Sequence, residues 1–131
     1  MGKFVVWMDD FSVGNSTVDD QHKELFDLVN KMWHSCKDSD KKKNQLFKKI
    51  VEKLRKHCED EECILARNGC PDLAAHRHEH RKLIRQTKEL LDSCDKGNKK
   101  MWFDMMAFLL HELLMSHLLE ADKKCRKYLH E

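Results

Sequence analysis

The sequence predicts an all-α protein, an antiparallel up-down-up-down four-helix bundle with an extended N-terminal arm. Apolar residues recur at helical spacing in four separate stretches. The 131 residues include only four Gly and one Pro, whereas Lys, Glu and Leu, which favour helices, are abundant. Because the predicted connections are short, consecutive helices should run antiparallel. A chain of this length is expected to form one domain over residues 1–131.

The N-terminal arm and the first helix are separated by a change in periodicity. Residues 1–17 show no helical repeat and contain Gly14, so we predict an arm packed along the bundle. Thr17 followed by Asp20 resembles a capping box and predicts a helix over 18–37. The inward stripe of this helix would comprise Val18, His22, Leu25, Phe26, Val29 and Trp33.

The second and third helices are predicted over 42–67 and 71–93. Gly69 suits the end of one and Pro71 the first turn of the next. The second stripe would comprise Leu46, Phe47, Ile50, Leu54, His57, Glu61, Ile64 and Leu65. The third would comprise Leu73, His76, His80, Leu83, Ile84, Thr87, Leu90 and Leu91.

The fourth helix is predicted over 98–128, after a turn formed by Asp95, Gly97 and Asn98. Its inward residues would be Phe103, Met106, Leu110, Leu113, Leu114, His117, Ala121 and Tyr128.

Composition excludes several classes of function. The net charge is +2 with both signs interspersed, which gives no electrostatic case for nucleic-acid binding. No apolar run is long enough to span a membrane, and the N-terminus does not resemble a signal peptide. The six cysteines form no secreted disulfide framework, so we expect reduced thiols in the cytoplasm. Cys58 and Cys63 flank Glu61, but a small filler or an exposed thiol is favoured over a role at a metal.

Polar side chains on the inner stripes predict a metal centre. The pairs His57/Glu61 and His76/His80 are each four residues apart, which places both members on one helix face. With His22 and His117, such groups occur on all four predicted helices. Burying them without partners would be costly, and a pair of metal ions would remove that cost. The other histidines fall off the stripes and should lie at the rim or in solvent: His34, His78, His111 and His130.

Asp122 is ambiguous on spacing alone. It follows His117 by five residues, which is about 140° around an ideal helix, so an exposed position is equally compatible with the sequence. A local π-bulge, a feature common at functional sites, would bring the two side chains closer to one face.

The order H, H-x-x-x-E, H-x-x-x-H, H-x-x-x-x-D resembles the hemerythrins, most of all their single-domain prokaryotic members, the bacteriohemerythrins. The resemblance covers nearly the whole chain. It includes Trp7 and the S-V-G of Ser12–Gly14 in the arm, Asp19-Asp20-Gln21-His22, the pair Glu61-Glu62 and the Gly-x-Pro turn before His76. Departures occur where relatives often carry aromatics, at Cys58, Cys70 and the pair Leu113-Leu114. They bear on pocket shape and not on the ligands.

The resemblance implies a cofactor of two Fe ions bridged by Glu61, Asp122 and an oxo or hydroxo group. It also implies that three histidines complete one iron: His76, His80 and His117. His22 and His57 would hold the other iron, which keeps one position open for dioxygen. Around that position we expect an apolar pocket wall formed by Leu25, Phe26, Leu54, Leu114 and Leu118.

The function implied is reversible dioxygen binding, for transport, storage or delivery, and not enzymatic turnover, with a peroxidase-like side activity left open. Five neutral imidazoles and two carboxylates favour low oxidation states of iron over oxygenation. The alternatives are an oxygen- or iron-sensing domain and a di-iron enzyme that consumes peroxide or nitric oxide. A zinc-binding or metal-free bundle fits less well. Candidate protein partners are an oxygen-consuming enzyme or a reductase, and the sequence leaves the oligomeric state open.

Overall fold

The computed structural model describes residues 4–94 and 99–129, and every regular element within those ranges is helical. The first three helices are α1 (Ser16–His34), α2 (Asp40–Arg67) and α3 (Leu73–Cys94). The fourth is continuous and has three parts: α4 (Lys99–Phe108), a π-helical segment (Leu109–Ala121) and α5 (Asp122–Lys124). α1 packs against α2 and the fourth helix, and α3 against α2 and α4. The predicted four-helix bundle is therefore confirmed.

The first helix begins earlier than predicted, because its cap is not the predicted one. Asn15 precedes α1 in an extended conformation, and its side-chain oxygen accepts a hydrogen bond from the backbone N–H of Val18 at 3.1 Å. Thr17, the predicted cap, lies inside the helix and is exposed. An asparagine in this position satisfies one of the free N–H groups of the first turn. The capping-box prediction was wrong.

The turn between α2 and α3 has the glycine that was predicted. Gly69 has a φ of 72°, and Cys70 N–H donates to the carbonyl of Leu65 at 3.0 Å. Together with the bond from Gly69 N–H to the Ala66 carbonyl, this forms a Schellman motif, which requires a left-handed residue. Pro71 does not open the next helix, since α3 begins at Leu73.

Two apolar predictions were wrong. Phe103, predicted to face inward, is 65% exposed, and its neighbour Trp102 is buried in its place. Trp33 is 36% exposed and stacks against Phe4 and Trp102 at the edge of the core. The predicted turn at Asp95, Gly97 and Asn98 lies outside the described residues.

The N-terminal arm is attached to α1 by side chains that bind backbone groups. Asn30 accepts from the N–H of Val5 at 2.9 Å and donates to its carbonyl at 2.8 Å. Asp19 accepts from Ser12 Oγ and from the N–H of Val13, at 2.5 and 2.9 Å. Within the described ranges, no helix combines the length and the apolar character that a membrane span requires.

Candidate metal centre

All seven predicted ligands lie together in the middle of the bundle, and none exposes more than 7% of its surface. α1 contributes His22, α2 contributes His57 and Glu61, α3 contributes His76 and His80, and the fourth helix contributes His117 and Asp122. Three of the histidines that were predicted to be peripheral, His34, His78 and His111, are exposed. His130 lies outside the described residues. Stripe position therefore separated the buried histidines from the exposed ones.

Glu61 directs its two carboxylate oxygens to opposite sides of the centre. Oε2 lies 3.3 Å from Nε2 of His57. Oε1 lies 3.2 Å from Nε2 of His80 and also contacts Nε2 of His76.

The two carboxylate oxygens of Asp122 likewise contact different pairs of histidines. Its Oδ2 lies 2.9 Å from Nε2 of His22 and 3.3 Å from Nε2 of His57. Its Oδ1 lies 3.3 Å from Nε2 of His76 and 3.7 Å from Nε2 of His117. Each carboxylate thus contacts histidines from both sides of the centre.

Two groups of four donors result, and they share both carboxylates. In each group the donor atoms all lie within 4.8 Å of one another: His22, His57, Glu61 and Asp122 in the first, and Glu61, His80, His117 and Asp122 in the second. His76 belongs to neither group at that separation, although its Nε2 contacts both carboxylates. Two cation positions bridged by two carboxylates are compatible with this arrangement.

The π-helical segment explains why Asp122 reaches the centre. The backbone N–H of Asp122 donates to the carbonyl of His117, five residues earlier, at the end of Leu109–Ala121. This hydrogen bond defines a π-helical turn and widens the repeat, so residues five apart share a face. A local bulge was one of the possibilities that the sequence left open at this point, and the structure has a longer segment of the same kind.

Outer partners orient three of the imidazoles, and sequence reasoning assigned them no role. The Nδ1–H of His80 donates to Oε2 of Glu62 at 2.8 Å, and the Nδ1–H of His57 donates to Oε1 of Gln21 at 3.0 Å. Nδ1 of His76 lies 3.4 Å from Sγ of Cys125. Because Nδ1 of His57 and of His80 faces these outer partners, Nε2 of each ring faces the centre, where it could bind a cation in place of its proton. The sequence signals for Glu62 and Gln21 were that each adjoins a predicted ligand and that each lies in a segment that carries the family resemblance.

The two carboxylates make the centre favourable for positive charge. Burial would lower the pKa of His57, but Glu61 and Asp122 outweigh it and raise that pKa to about 10. The pKa of His76 is likewise raised to about 10, against the effect of burial, by its contacts with the same carboxylates. Burial and Asp122 would raise the pKa of Glu61, but contacts with His57 and His76 lower it to about 2. Burial lowers the pKa of His117 to about 4, so its imidazole is neutral and has a free lone pair at neutral pH.

Buried polar atoms without hydrogen bonds show that the residues fit a bound cation pair. Within the described part of the chain, Nε2 of His80 and of His117 have no hydrogen-bond partner, and the same holds for Oε2 of Glu61 and Oδ1 of Asp122. Their contacts at 3.2–3.7 Å therefore lack hydrogen-bond geometry. Leaving such groups unpaired costs about 1–3 kcal/mol each, and more when the group is charged. Cations would satisfy imidazole and carboxylate donors together.

The predicted pocket wall is fully buried. Its five members belong to the main apolar cluster of the bundle: Leu25, Phe26, Leu54, Leu114 and Leu118. A separate cavity of about 90 Å³ lies between α3 and the π-helical segment. Glu79, Gln86 and Ser116 are among the residues that line this cavity, and it reaches His117.

Comparisons with known proteins identify a family model and several relatives that match most of the chain. The family model described as Hemerythrin HHE cation binding domain matches residues 13–128. The chain is 27% identical over 125 residues to a bacteriohemerythrin of Clostridium acetobutylicum, covering 91% of this chain and 96% of that protein. It is 27% identical over 115 residues to a bacteriohemerythrin of Methylococcus capsulatus, covering 87% of each.

A further relative and a solved structure also match the chain over most of its length. A hemerythrin-like protein of Naegleria gruberi is 25% identical over 118 residues, covering 90% of this chain and 87% of that protein. The crystal structure of wild-type hemerythrin superposes with a TM-score of 0.84 at 25% identity, over 98% of this chain and 99% of that one.

Proposed function

The chain belongs to the hemerythrin family, and from that premise we propose that it holds two iron ions through these seven residues and binds dioxygen reversibly. The family and the fold are those of non-haem iron proteins of the oxygen-binding type. The observation that carries the proposal is the pair of buried donor groups that share Glu61 and Asp122.

The proposed roles follow from which side of the centre each histidine contacts. Glu61 and Asp122 bridge the two ions, together with an oxo or hydroxo group from solvent. His76, His80 and His117 hold one ion, and their contacts with Oε1 of Glu61 or Oδ1 of Asp122 support this assignment. His22 and His57, which contact Oδ2 of Asp122, hold the other. When bound, the iron pair supplies electrons that pass reversibly to dioxygen.

The surrounding residues supply orientation and exclude water. Glu62 and Gln21 keep the Nε2 lone pairs of His80 and His57 aimed at the centre. Leu114 and Leu118 are at most 1% exposed and keep bulk water from one side. This apolar wall would exclude water and anions from the bound metals, which supports reversible binding. The donor charge supports binding over oxygenation, because two carboxylates stabilise high-valent iron less than a carboxylate-rich set does.

An optical spectrum tests the proposal. The metal-free protein is loaded anaerobically with ferrous iron, exposed to air and then returned to anaerobic conditions. We expect two irons per chain and a visible charge-transfer band that appears with air and disappears on deoxygenation. A spectrum that does not respond to oxygen would contradict the proposal.

Two variants on one helix provide the matched comparison. His80→Gln should lower the iron content and abolish the oxygen-dependent band, because His80 is one of the four donors of the second group. His78→Gln, two residues earlier and exposed, should retain both. Equal behaviour of the two variants would remove His80 from the site.

A further inference from the structure

Cys58 adds a sulfur donor to the same centre. It follows His57 on α2, is 1% exposed and belongs to the main apolar cluster. Its Sγ and one ring nitrogen each of His80 and His117 all lie within 4.8 Å of one another. These three residues form a third donor group, which differs from the other two because it has a thiol in place of the carboxylates.

The two histidines of this group have donor atoms available. Nε2 of His80 and Nε2 of His117 are buried without a hydrogen-bond partner, and the two side chains are 1% and 5% exposed. Cys58 is therefore accompanied by two imidazole nitrogens that could bind the same metal ion. It consists of one sulfur and two imidazoles that converge from three different helices.

The geometry points to an alternative zinc site formed by Cys58, His80 and His117. Zinc is held by thiolate and imidazole donors in tetrahedral sites, and three protein ligands with a fourth position open to water are a common set. A soft thiolate ligand selects zinc over hard cations such as Mg²⁺ and Mn²⁺, which prefer oxygen ligands. With zinc–sulfur bonds of about 2.3 Å and zinc–nitrogen bonds of about 2.0–2.1 Å, tetrahedral donors stand about 3.5 Å apart. The donor atoms of the three residues already lie within 4.8 Å of one another, so side-chain rotations that bring them to about 3.5 Å form the site.

Binding needs no electron transfer. The S–H bond of Cys58 breaks, its proton passes to the solvent, and the sulfur lone pair forms the bond to Zn²⁺. The zinc ion remains divalent, and water occupies the fourth position.

Zinc and the proposed iron pair exclude each other at His80 and His117. The inference uses these two histidines of the proposed function but does not need dioxygen binding to be correct. It predicts that the metal content of this chain depends on the ratio of zinc to ferrous iron present during loading.

Cobalt(II) is the spectroscopic probe for the thiolate. The metal-free full chain is titrated with Co²⁺, and we expect a near-ultraviolet thiolate-to-cobalt charge-transfer band at one equivalent. Cys58→Ser should abolish that band and weaken zinc binding at least about ten-fold, the lower end of the cost of losing even an outer-shell partner. Cys63→Ser, on the same helix but exposed, is the matched control and should keep both. Circular dichroism verifies that each variant folds.

X-ray absorption at the zinc edge gives a result that does not depend on variants. One sulfur neighbour in the wild-type zinc protein supports the site, and a shell of nitrogen and oxygen alone overturns it. A cobalt band unchanged in Cys58→Ser overturns it as well. If wild-type protein shows the thiolate band with cobalt but no oxygen-sensitive band with iron, only the proposed function falls. The opposite pair of results removes only the zinc site.

Discussion

Asp122 and His117 lie one π-helical turn apart, joined by a hydrogen bond from the N–H of Asp122 to the carbonyl of His117. Both side chains consequently enter the bundle centre, where Oδ1 of Asp122 is 3.7 Å from Nε2 of His117. In an α-helix the same two positions would diverge by about 140°. The wider turn therefore delivers the second carboxylate, without which the centre would contain only Glu61 as an anion among the seven residues.

The contribution of that carboxylate can be measured with Asp122→Asn. The variant keeps the shape of the side chain but removes the charge that is shared by both donor groups, so we expect less than two irons per chain and affinity at least about ten-fold weaker. Isothermal titration with ferrous iron under anaerobic conditions checks this. Asp104→Asn, exposed on the same helix, is the control and should bind as wild type. Full loading of Asp122→Asn would refute a bridging role.

Glu62 should tune the centre without entering it. It accepts the Nδ1–H of His80 at 2.8 Å, so Glu62→Gln weakens a charge-assisted hydrogen bond and should lower metal affinity by about 10–100-fold. The matched control is Glu59→Gln, an exposed position on the same helix. Iron affinity that is identical in the two variants would show that Glu62 does not orient His80.

Leu114→Ala should accelerate oxidation of the oxygenated protein to the ferric form, because water gains access through the shortened pocket wall. Leu109→Ala provides the control, since it is equally buried in the same π-helical segment but outside the predicted wall. Each change should also cost about 2–5 kcal/mol of stability. Autoxidation is followed by the decay of the visible band. If the two variants autoxidise at the same rate, the acceleration comes from loosened core packing and not from a specific role of Leu114 in the pocket wall.

The N-cap of α1 can be located by denaturation. Asn15→Ala removes the acceptor of the Val18 N–H and should lower the free energy of unfolding by about 1 kcal/mol. Thr17→Ala should change it by less than about 0.5 kcal/mol, because Thr17 is an exposed helical residue. Urea titrations of the metal-free protein separate the two cases. If Thr17→Ala loses more free energy of unfolding than Asn15→Ala, Thr17 is the cap after all, as the capping-box prediction had it.

Regular periodicity made most of the bundle predictable. His76 and His80, four residues apart on an ordinary α-helix, share a face for the reason the sequence indicates, and both are buried. Gly69 likewise has the positive φ that its place after α2 predicts. In these cases local geometry alone determines the outcome.

Predictions were wrong or incomplete where a second interaction competes with the local one. Asn15, and not Thr17, caps the first turn of α1, and periodicity alone does not distinguish two possible caps that lie two residues apart. The prediction applied one α-helical period to the whole fourth helix, and so placed Phe103 on the inward face. The π-helical segment has a wider period, which shifts the inward face in α4 by one residue, and Trp102 is the buried side chain. The approach of Cys58 to His80 and His117 depends on how three helices pack, which a stripe on one helix does not specify.

The division of Glu61 and Asp122 between the two donor groups has a consequence for the order of assembly. In the proposed di-iron centre, the first ion would bind one oxygen of each carboxylate and would orient the other two oxygens toward the second ion's position. The conformational cost is thereby met once for both ions. We expect loading to be cooperative, so that protein with a single iron remains scarce even when iron is supplied below two equivalents.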